Sequence, residues 1–318
     1  MSVGLPSEVV APAEGATGGG GTGGFQGPSG TKRGFGGWFA NTGWRHVVAL
    51  FMLVFALFPV YWVVMGSFDK SGSLSSQELV PKADDLGLQN YRTLFDDTDF
   101  WTWFRNSLVI CLATAFFTVM LAAMAAFAFS RLRFRGRRAG LLSILLIQMF
   151  PSSVAVVAIY VIMQKIGEVF PSIGLGTLAG LLLVYLGGAM GINAWLLKGF
   201  FDTIPKDLDE SAKVDGATHF QIYRKVILPL AVPILVVVFL ISFLTTMNEL
   251  VLAQNLLRGS EGSYTLAVGL SGFVNQGFES RWGPFAAGSL VGAIPALIVF
   301  FLGQRFIVSG LTAGAVKG

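Results

Sequence analysis

Asp207-Leu208-Asp209-Glu210-Ser211-Ala212-Lys213-Val214-Asp215-Gly216-Ala217, running on to Val226-Ile227-Leu228-Pro229, is a compact charged stretch set between two long apolar runs, 177–198 and 226–247. Each run approaches the roughly 20 residues a helix needs to cross a hydrocarbon core about 30 Å thick. The island therefore reads as a short excursion outside a bilayer between two crossings. A chain with so few charges keeps a helix-forming polar segment there when something outside the membrane has to grip it.

Composition sets the same frame. Of 318 residues 53% are hydrophobic and 13% charged, and mean hydropathy is +0.68, against about a quarter charged in soluble domains. The net charge of +4 comes from cations at the edges of apolar runs rather than among aromatics on one face, which excludes nucleic acid as a partner. Cys111 is the only cysteine and lies in an apolar run; His46 and His219, the only histidines, have no second His or Cys at ligand spacing. Neither an intrachain disulfide nor a metal site is expected.

Six runs have membrane-spanning length: 46–67, 106–130, 139–163, 177–198, 226–247 and 284–305. They predict an all-α integral membrane protein with six transmembrane helices. Residues 1–40, including Gly18-Gly19-Gly20-Gly21, hold too little apolar surface to offset the entropy of ordering and read as a disordered tail. With both termini in the cytoplasm, fifteen of the 22 Lys and Arg residues fall inside, five of them in Arg131-Leu132-Arg133-Phe134-Arg135-Gly136-Arg137-Arg138. The positive-inside rule favours that orientation and makes the cluster a topological anchor facing anionic membrane lipid. The acidic segment 68–105, the short link 164–176 and the Gly-, Ser- and Asn-rich 249–283 then face out.

Energy has to come from somewhere in a transporter. A charge at the centre of a span costs at least about 2.5 to 3.5 kcal/mol, and ion-driven pumps keep such residues for their relays. Here Lys165, Lys198 and Glu249 lie near span ends, and no G-x-x-x-x-G-K-[ST] phosphate cradle occurs. An ion-coupled secondary sugar transporter is therefore disfavoured. An intramembrane enzyme would need a nucleophile and base that the spans lack. The chain reads as borrowing its energy from another subunit.

The island supplies the place to borrow it. Pro205 followed by Asp207, Asp209 and Glu210 suits a helix N-terminus with acids at its positive dipole end. Gly216 permits a sharp turn, and Phe220, Ile222, Tyr223 and Val226 lead into the next span. The expected product is two short helices joined by a bend.

Those residues resemble the permease signature of ATP-binding cassette (ABC) importers: E-A-A, three residues, G, nine residues, I-x-L-P. Glu210, Ser211, Ala212, Gly216, Val226, Leu228 and Pro229 match it position for position, with Ser211 and Val226 as mild departures. Asp215-Gly216-Ala217 and Leu228-Pro229-Leu230 with Pro233 resemble the carbohydrate branch, and the C-terminal Gln304–Val308 and Gly310-Leu311-Thr312-Ala313-Gly314 resemble maltose-type permeases. The resemblance covers residues 44–318 and implies the type I ABC permease fold. It also implies a cytoplasmic coupling loop over 199–225, within a transmembrane domain spanning 41–305, in a multi-pass protein of a prokaryotic cytoplasmic membrane.

It implies roles as well. Glu210, Ser211, Ala212, Asp215, Gly216 and Ala217 would engage an ATPase, with Leu228 and Pro229 closing the loop. Gly310, Leu311, Thr312, Gly314 and Lys317 of the tail 306–318 would reach between two ATPase subunits. Phe273, Asn275, Gln276 and Trp282 would contact an extracytoplasmic sugar-binding protein. The remaining partner would be a second, different permease subunit. ATP and magnesium would be bound by the ATPases, and this chain would hold no cofactor. The implied cargo is maltose or maltodextrin, with trehalose or another oligosaccharide as the alternative. Polar residues inside spans, among them Gln148, Asn193, Thr245 and Asn248, either line a sugar path or bond between helices.

Overall fold

The structure, a computed structural model, describes residues 43–71, 81–275 and 280–315, except for the side chains of 152, 153 and 307–315. The tail 1–40, Gln276 and Lys317 lie outside the described residues. Those that are described form helices and turns, with one isolated β-bridge between Asp69 and Leu86.

The chain divides into two compact units, 1–56 and 57–318. The described part of the first is the opening of α1 (Trp44–Phe68), whose Phe51, Leu53 and Phe55 are all exposed. A helix apolar on every face is a lipid-facing span. In the second unit the acidic loop carries a short α2 (Gln89–Asp96), followed by α3 (Phe100–Arg131), the longest helix with fully described side chains. Next come α4 (Arg137–Gln148), α5 (Ser152–Val169) and α6 (Leu178–Thr203). Among the described residues five helices are long and apolar enough to cross a membrane: Trp44–Phe68, Phe100–Arg131, Leu178–Thr203, His219–Met247 and Trp282–Phe306.

The sixth expected run, 139–163, is two helices rather than one. Pro151 has no N–H to donate and biases Phe150 away from helical geometry, so α4 ends at Gln148 and α5 begins at Ser152. Length and hydropathy do not register such a break. Pro59, Pro233 and Pro295 stay inside continuous helices.

At the centre of the second unit α3 lies along α6 and along α9 (Leu228–Met247). Two stripes on α3 explain this. Ser107, Cys111, Ala115, Thr118, Ala122 and Ala126 recur at helical spacing and are buried, whereas Val109, Leu112, Phe116, Met120 and Met124 recur on the opposite side and are exposed. Small residues let backbones approach, which drives packing between helices already surrounded by apolar lipid.

Beyond α9 come α10 (Val251–Leu256), α11 (Leu266–Val274) and α12 (Trp282–Ala315). The Gly288/Gly292 spacing on α12 is a close approach: a Cβ at either would overlap the side chain of Leu270 or Leu266, the same four residues apart on α11. Gly187, four residues before Gly191 on α6, faces open space, whereas a Cβ at Gly191 would overlap Gln148.

Four polar residues of the spans are spent on helix backbones, whereas Thr114, Thr118 and Ser242 are buried without a hydrogen-bond partner among the described residues. Gln148 donates to the carbonyl of Gly188 at 2.8 Å and so ties the end of α4 to α6. Asn193, Thr245 and Asn248 donate to carbonyls of their own helices, each at 2.8 Å. Glu249 accepts from Tyr185 at 2.7 Å and from the N–H groups of Leu252 and Ala253, and thereby caps α10.

Candidate functional site: the elbow at residues 205–229

The island folds as α7 (Asp207–Val214), a turn, and α8 (His219–Ile222). Asp207, Asp209 and Glu210 occupy the first turn of α7, where the exposed N–H groups favour negative charge. At its far end Gly216 donates to Lys213 at 3.0 Å and Ala217 to Ala212 at 2.9 Å. This is the Schellman closure, and it needs a left-handed residue, supplied by Gly216 at φ +80°. Ala212 and Ala217 are half-buried against the core below. The signature thus has a local meaning: its second alanine and its glycine are the closing residues of one helix terminus.

The second arm begins with a reciprocal cap. Gln221 N–H donates to Thr218 Oγ1 at 3.3 Å, and Thr218 N–H donates to Gln221 Oε1 at 2.7 Å. Replacing Thr218 with alanine removes one half of the box and is expected to cost about 1 kcal/mol. Faster amide exchange at Gln221 in solubilised protein is the measurement that checks it.

From α8 the chain continues without interruption. Tyr223–Ile227 is a π segment in which Leu228 N–H bonds to the carbonyl of Tyr223, and it runs directly into α9. Pro229 offers no N–H and its ring crowds the carbonyl four residues back, so the widened turn accommodates it. The second short helix and the following span are therefore one helix, His219–Met247.

The elbow is seated on the ends of α3 and α6. Phe127, Phe201, Ile204, Ile222 and Ile227 form the buried floor, with the Tyr223 ring 5.2 Å from that of Phe127. Above it Arg131 Nε lies 2.7 Å from Asp209 Oδ2, with the two side chains 6% and 9% exposed. Arg131 Nη2 also donates to the carbonyl of Ile204 at 2.8 Å. Beside this, Ser130 donates to Asp202 at 2.6 Å and Lys198 pairs with the same carboxylate.

Arg131 thus departs from the anchor reading of its cluster. Arg133, Arg135 and Arg138 are exposed as an anchor requires, but Arg131 is turned into the protein. Neither Asp209 nor Arg131 was among the expected site residues. The signal available in the sequence was the acid beside Glu210, in a helix whose partner could not be known.

Of the expected coupling residues, Glu210, Ser211, Asp215 and Gly216 are exposed on the elbow, as is Pro229; Ala212, Ala217 and Leu228 are half-buried. Val214 is 89% exposed and Phe220 65%, an apolar addition to that surface. A cleft of about 330 Å³ opens between Ala212, Gly216, Gln221 and Lys225.

At the other end of α3 lie residues 257–275 and 280–282. Asn106 donates to the carbonyls of Gly262 and Tyr264, both at 3.0 Å, and Leu266 N–H donates to Ser107 at 2.7 Å. The ring of Trp103 presses on Gly269 so closely that a Cβ would overlap it. Phe273, expected at a contact surface, is 3% exposed and packs with Leu94, Phe100 and Leu270, because it lies on the inward face of α11. The guanidinium of Arg281 covers it, 5.0 Å from the ring centre. Asn275 is exposed, and Trp282 is half-buried against Phe285. Gly310, Leu311, Thr312 and Gly314 continue the backbone helix of α12, which extends to Ala315.

Among the described residues the chain is thus a helical bundle with this elbow between two spanning helices. The comparison with solved structures agrees at the level of fold: a crystal structure of a bacterial ABC transporter involved in the import of the acidic polysaccharide alginate matches with a TM-score of 0.68 at 24% identity, over 82% of this chain and 94% of that one. The family described as binding-protein-dependent transport system inner membrane component matches residues 118–309. The chain belongs to that family. Among curated relatives, the maltose/maltodextrin transport system permease protein MalG of Yersinia pestis is 39% identical over 288 residues, covering 86% of this chain and 92% of the relative. The MalG of Escherichia coli K12 is 38% identical over 288 residues, covering 86% and 95%.

Proposed function

We propose that this chain is one of two different permease subunits of an ABC importer for maltose and maltodextrin-type oligosaccharides. Two ATPase subunits power the complex, and an extracytoplasmic sugar-binding protein feeds it. The observation that carries the reading is the elbow: a tightly capped helix presenting Glu210 and Gly216 outward, continuous on its other arm with a span. Identity to MalG permeases across most of the chain supports the substrate class. ATP and magnesium are held by the ATPases; this subunit contributes motion and a path.

In this reading α4 and α5 together make the sixth crossing, and both termini and the elbow face the cytoplasm. Closure of the ATPase dimer pulls the elbow, turns the bundle against its companion, and opens the cavity outward to the docked binding protein; hydrolysis resets it. The C-terminal residues 306–318 reach toward the ATPase dimer. Asn275, Gln276 and Trp282 are the residues offered to the binding protein, and Phe273 is buried in the helix that precedes them.

Two measurements test this. Uptake of maltose or maltotriose into vesicles should require ATP, and ATP hydrolysis by the copurified complex should rise when the sugar-loaded binding protein is added. Uptake driven by an ion gradient without ATP would refute the reading. For orientation, Cys111 is replaced by serine and single cysteines are placed at Arg135 and Asp85, both exposed. An impermeant maleimide added to intact cells should label position 85 and spare 135; the reverse pattern overturns the topology.

A further inference from the structure

The elbow and the segment 257–275 lie at opposite ends of the bundle, yet both are fastened to one helix. At 1.5 Å per residue, the 32 residues of α3 span about 48 Å. One end is held by Asn106, Ser107 and Trp103 against the carbonyls, N–H and glycine of 262–269. The other is held by Arg131 against Asp209 of α7 and the carbonyl of Ile204. We propose that α3 is a connecting rod between the elbow and the 262–269 segment, with the buried Arg131–Asp209 pair as its inner fastening and Asn106 as its outer one.

Burial and chemistry single out the inner pair. Two opposite charges withdrawn from water are an expensive way to fill space, and apolar residues of similar volume commonly serve as well or better. Here the cost is not minimised: Arg131 Nε and Nη1 and Asp209 Oδ1 are all buried without a hydrogen-bond partner among the described residues, so the pair is held by charge alone. What a charge pair supplies and a greasy contact does not is an attraction between two particular groups, here aimed by the hydrogen bond from Arg131 Nη2 to Ile204. One guanidinium is thereby held at once by a carboxylate on α7 and a carbonyl at the end of α6. Arg131 is thus a positioning residue, acting through α7 and touching neither sugar nor nucleotide.

Elements with two discrete arrangements carry coupling between distant sites, and the sites need a continuous mechanical connection. The α3 helix provides one. Its buried stripe of small residues packs closely along α6 and α9, so α3 is in contact with both over its length. Arrival of the binding protein at one end is then felt at the elbow as a displacement of α7.

The inference rests on the ATPase-docking reading of the elbow, and the experiment separates the two. In a Cys111→Ser background, Arg131→Cys and Asp209→Cys are combined and the complex is purified with its copurifying ATPase, companion permease and binding protein. Without a link, stimulation of ATP hydrolysis by sugar-loaded binding protein should fall about tenfold, within the 5–150-fold usual for coupling between sites. A short thiol-cleavable bismaleimide across the two cysteines should restore it, and reduction should abolish it again. Asn106→Ala should lower the same stimulation, and adding Arg131→Met to it should cost little more, because one rod is broken only once.

Full stimulation in the unlinked double-cysteine complex would overturn the proposal, as would strictly additive losses from the two ends. Failure of the Arg131 and Asp209 variants to assemble would overturn it too, by assigning the pair to docking instead. If Glu210→Lys and Gly216→Pro leave stimulation normal, the docking reading itself is what fails.

Discussion

Gly216→Pro and Glu210→Lys, each introduced singly, are expected to leave the chain inserted in the membrane and to remove sugar-stimulated ATP hydrolysis. The two reach that result by different routes. Gly216 sits at φ +80° and donates to Lys213 at 3.0 Å. Proline fixes φ near −65° and has no N–H, so the closure of α7 is lost, at a cost of about 3 kcal/mol or more. Gly216→Ala is the graded control: no atom lies within 4 Å of the added Cβ, so only the left-handed backbone penalty of about 1–2 kcal/mol applies. Glu210 is exposed in the first turn, so reversing its charge barely alters the fold but replaces an acid favoured by the helix dipole with a base on the presented surface. Hydrolysis by reconstituted complex, with and without loaded binding protein, reads both. Normal stimulation in either variant would remove the role assigned to the elbow.

The second large effect is expected where α11 meets α12. In Gly288→Val combined with Gly292→Val, both β-carbons collide with Leu270 and Leu266, so α11 is pushed off α12. Overpacking of this kind costs about 1–3 kcal/mol per site. The loss should appear as a lower melting temperature in detergent and as new protease cleavage around 257–275. Shortening the obstacles with Leu270→Ala and Leu266→Ala should recover much of it. Unchanged melting of the double valine variant would mean that the two helices are not in firm contact.

Much of this was legible in the sequence because its signals are local. Pro205, the acids of α7 and Gly216 mark a helix start and stop within a dozen residues, and the structure puts both ends where that chemistry requires. The apolar runs of five spanning helices are equally plain, since each carries its own evidence in its length. The break at Met149-Phe150-Pro151 was harder: proline alone does not decide between a kink and a stop, and Pro59, Pro233 and Pro295 in this same chain do not stop their helices.

Pairings across the chain left no trace at all. An arginine heading a basic cluster looks like its neighbours until α3 and α7 are brought together, and Arg131 then proves to be spent on Asp209. Phe273 illustrates the same limit from the apolar side. In sequence it adjoins a polar loop and reads as surface; three-dimensional packing turns it onto Leu94 and Phe100. Gln148 and Asn193, candidates for a sugar path, are engaged with backbone carbonyls whose positions only the folded bundle defines.

The unbroken helix from His219 to Met247 has a consequence for scale. Its 29 residues measure about 43 Å at 1.5 Å per residue, so a 10° swing about its elbow end carries the opposite tip roughly 7 Å sideways. That is of the order of a sugar ring's width. A displacement close to the pivot is thus geared up toward the far tip, and the π segment at Tyr223–Ile227 and Pro233 are the two places along the way where the helix can bend.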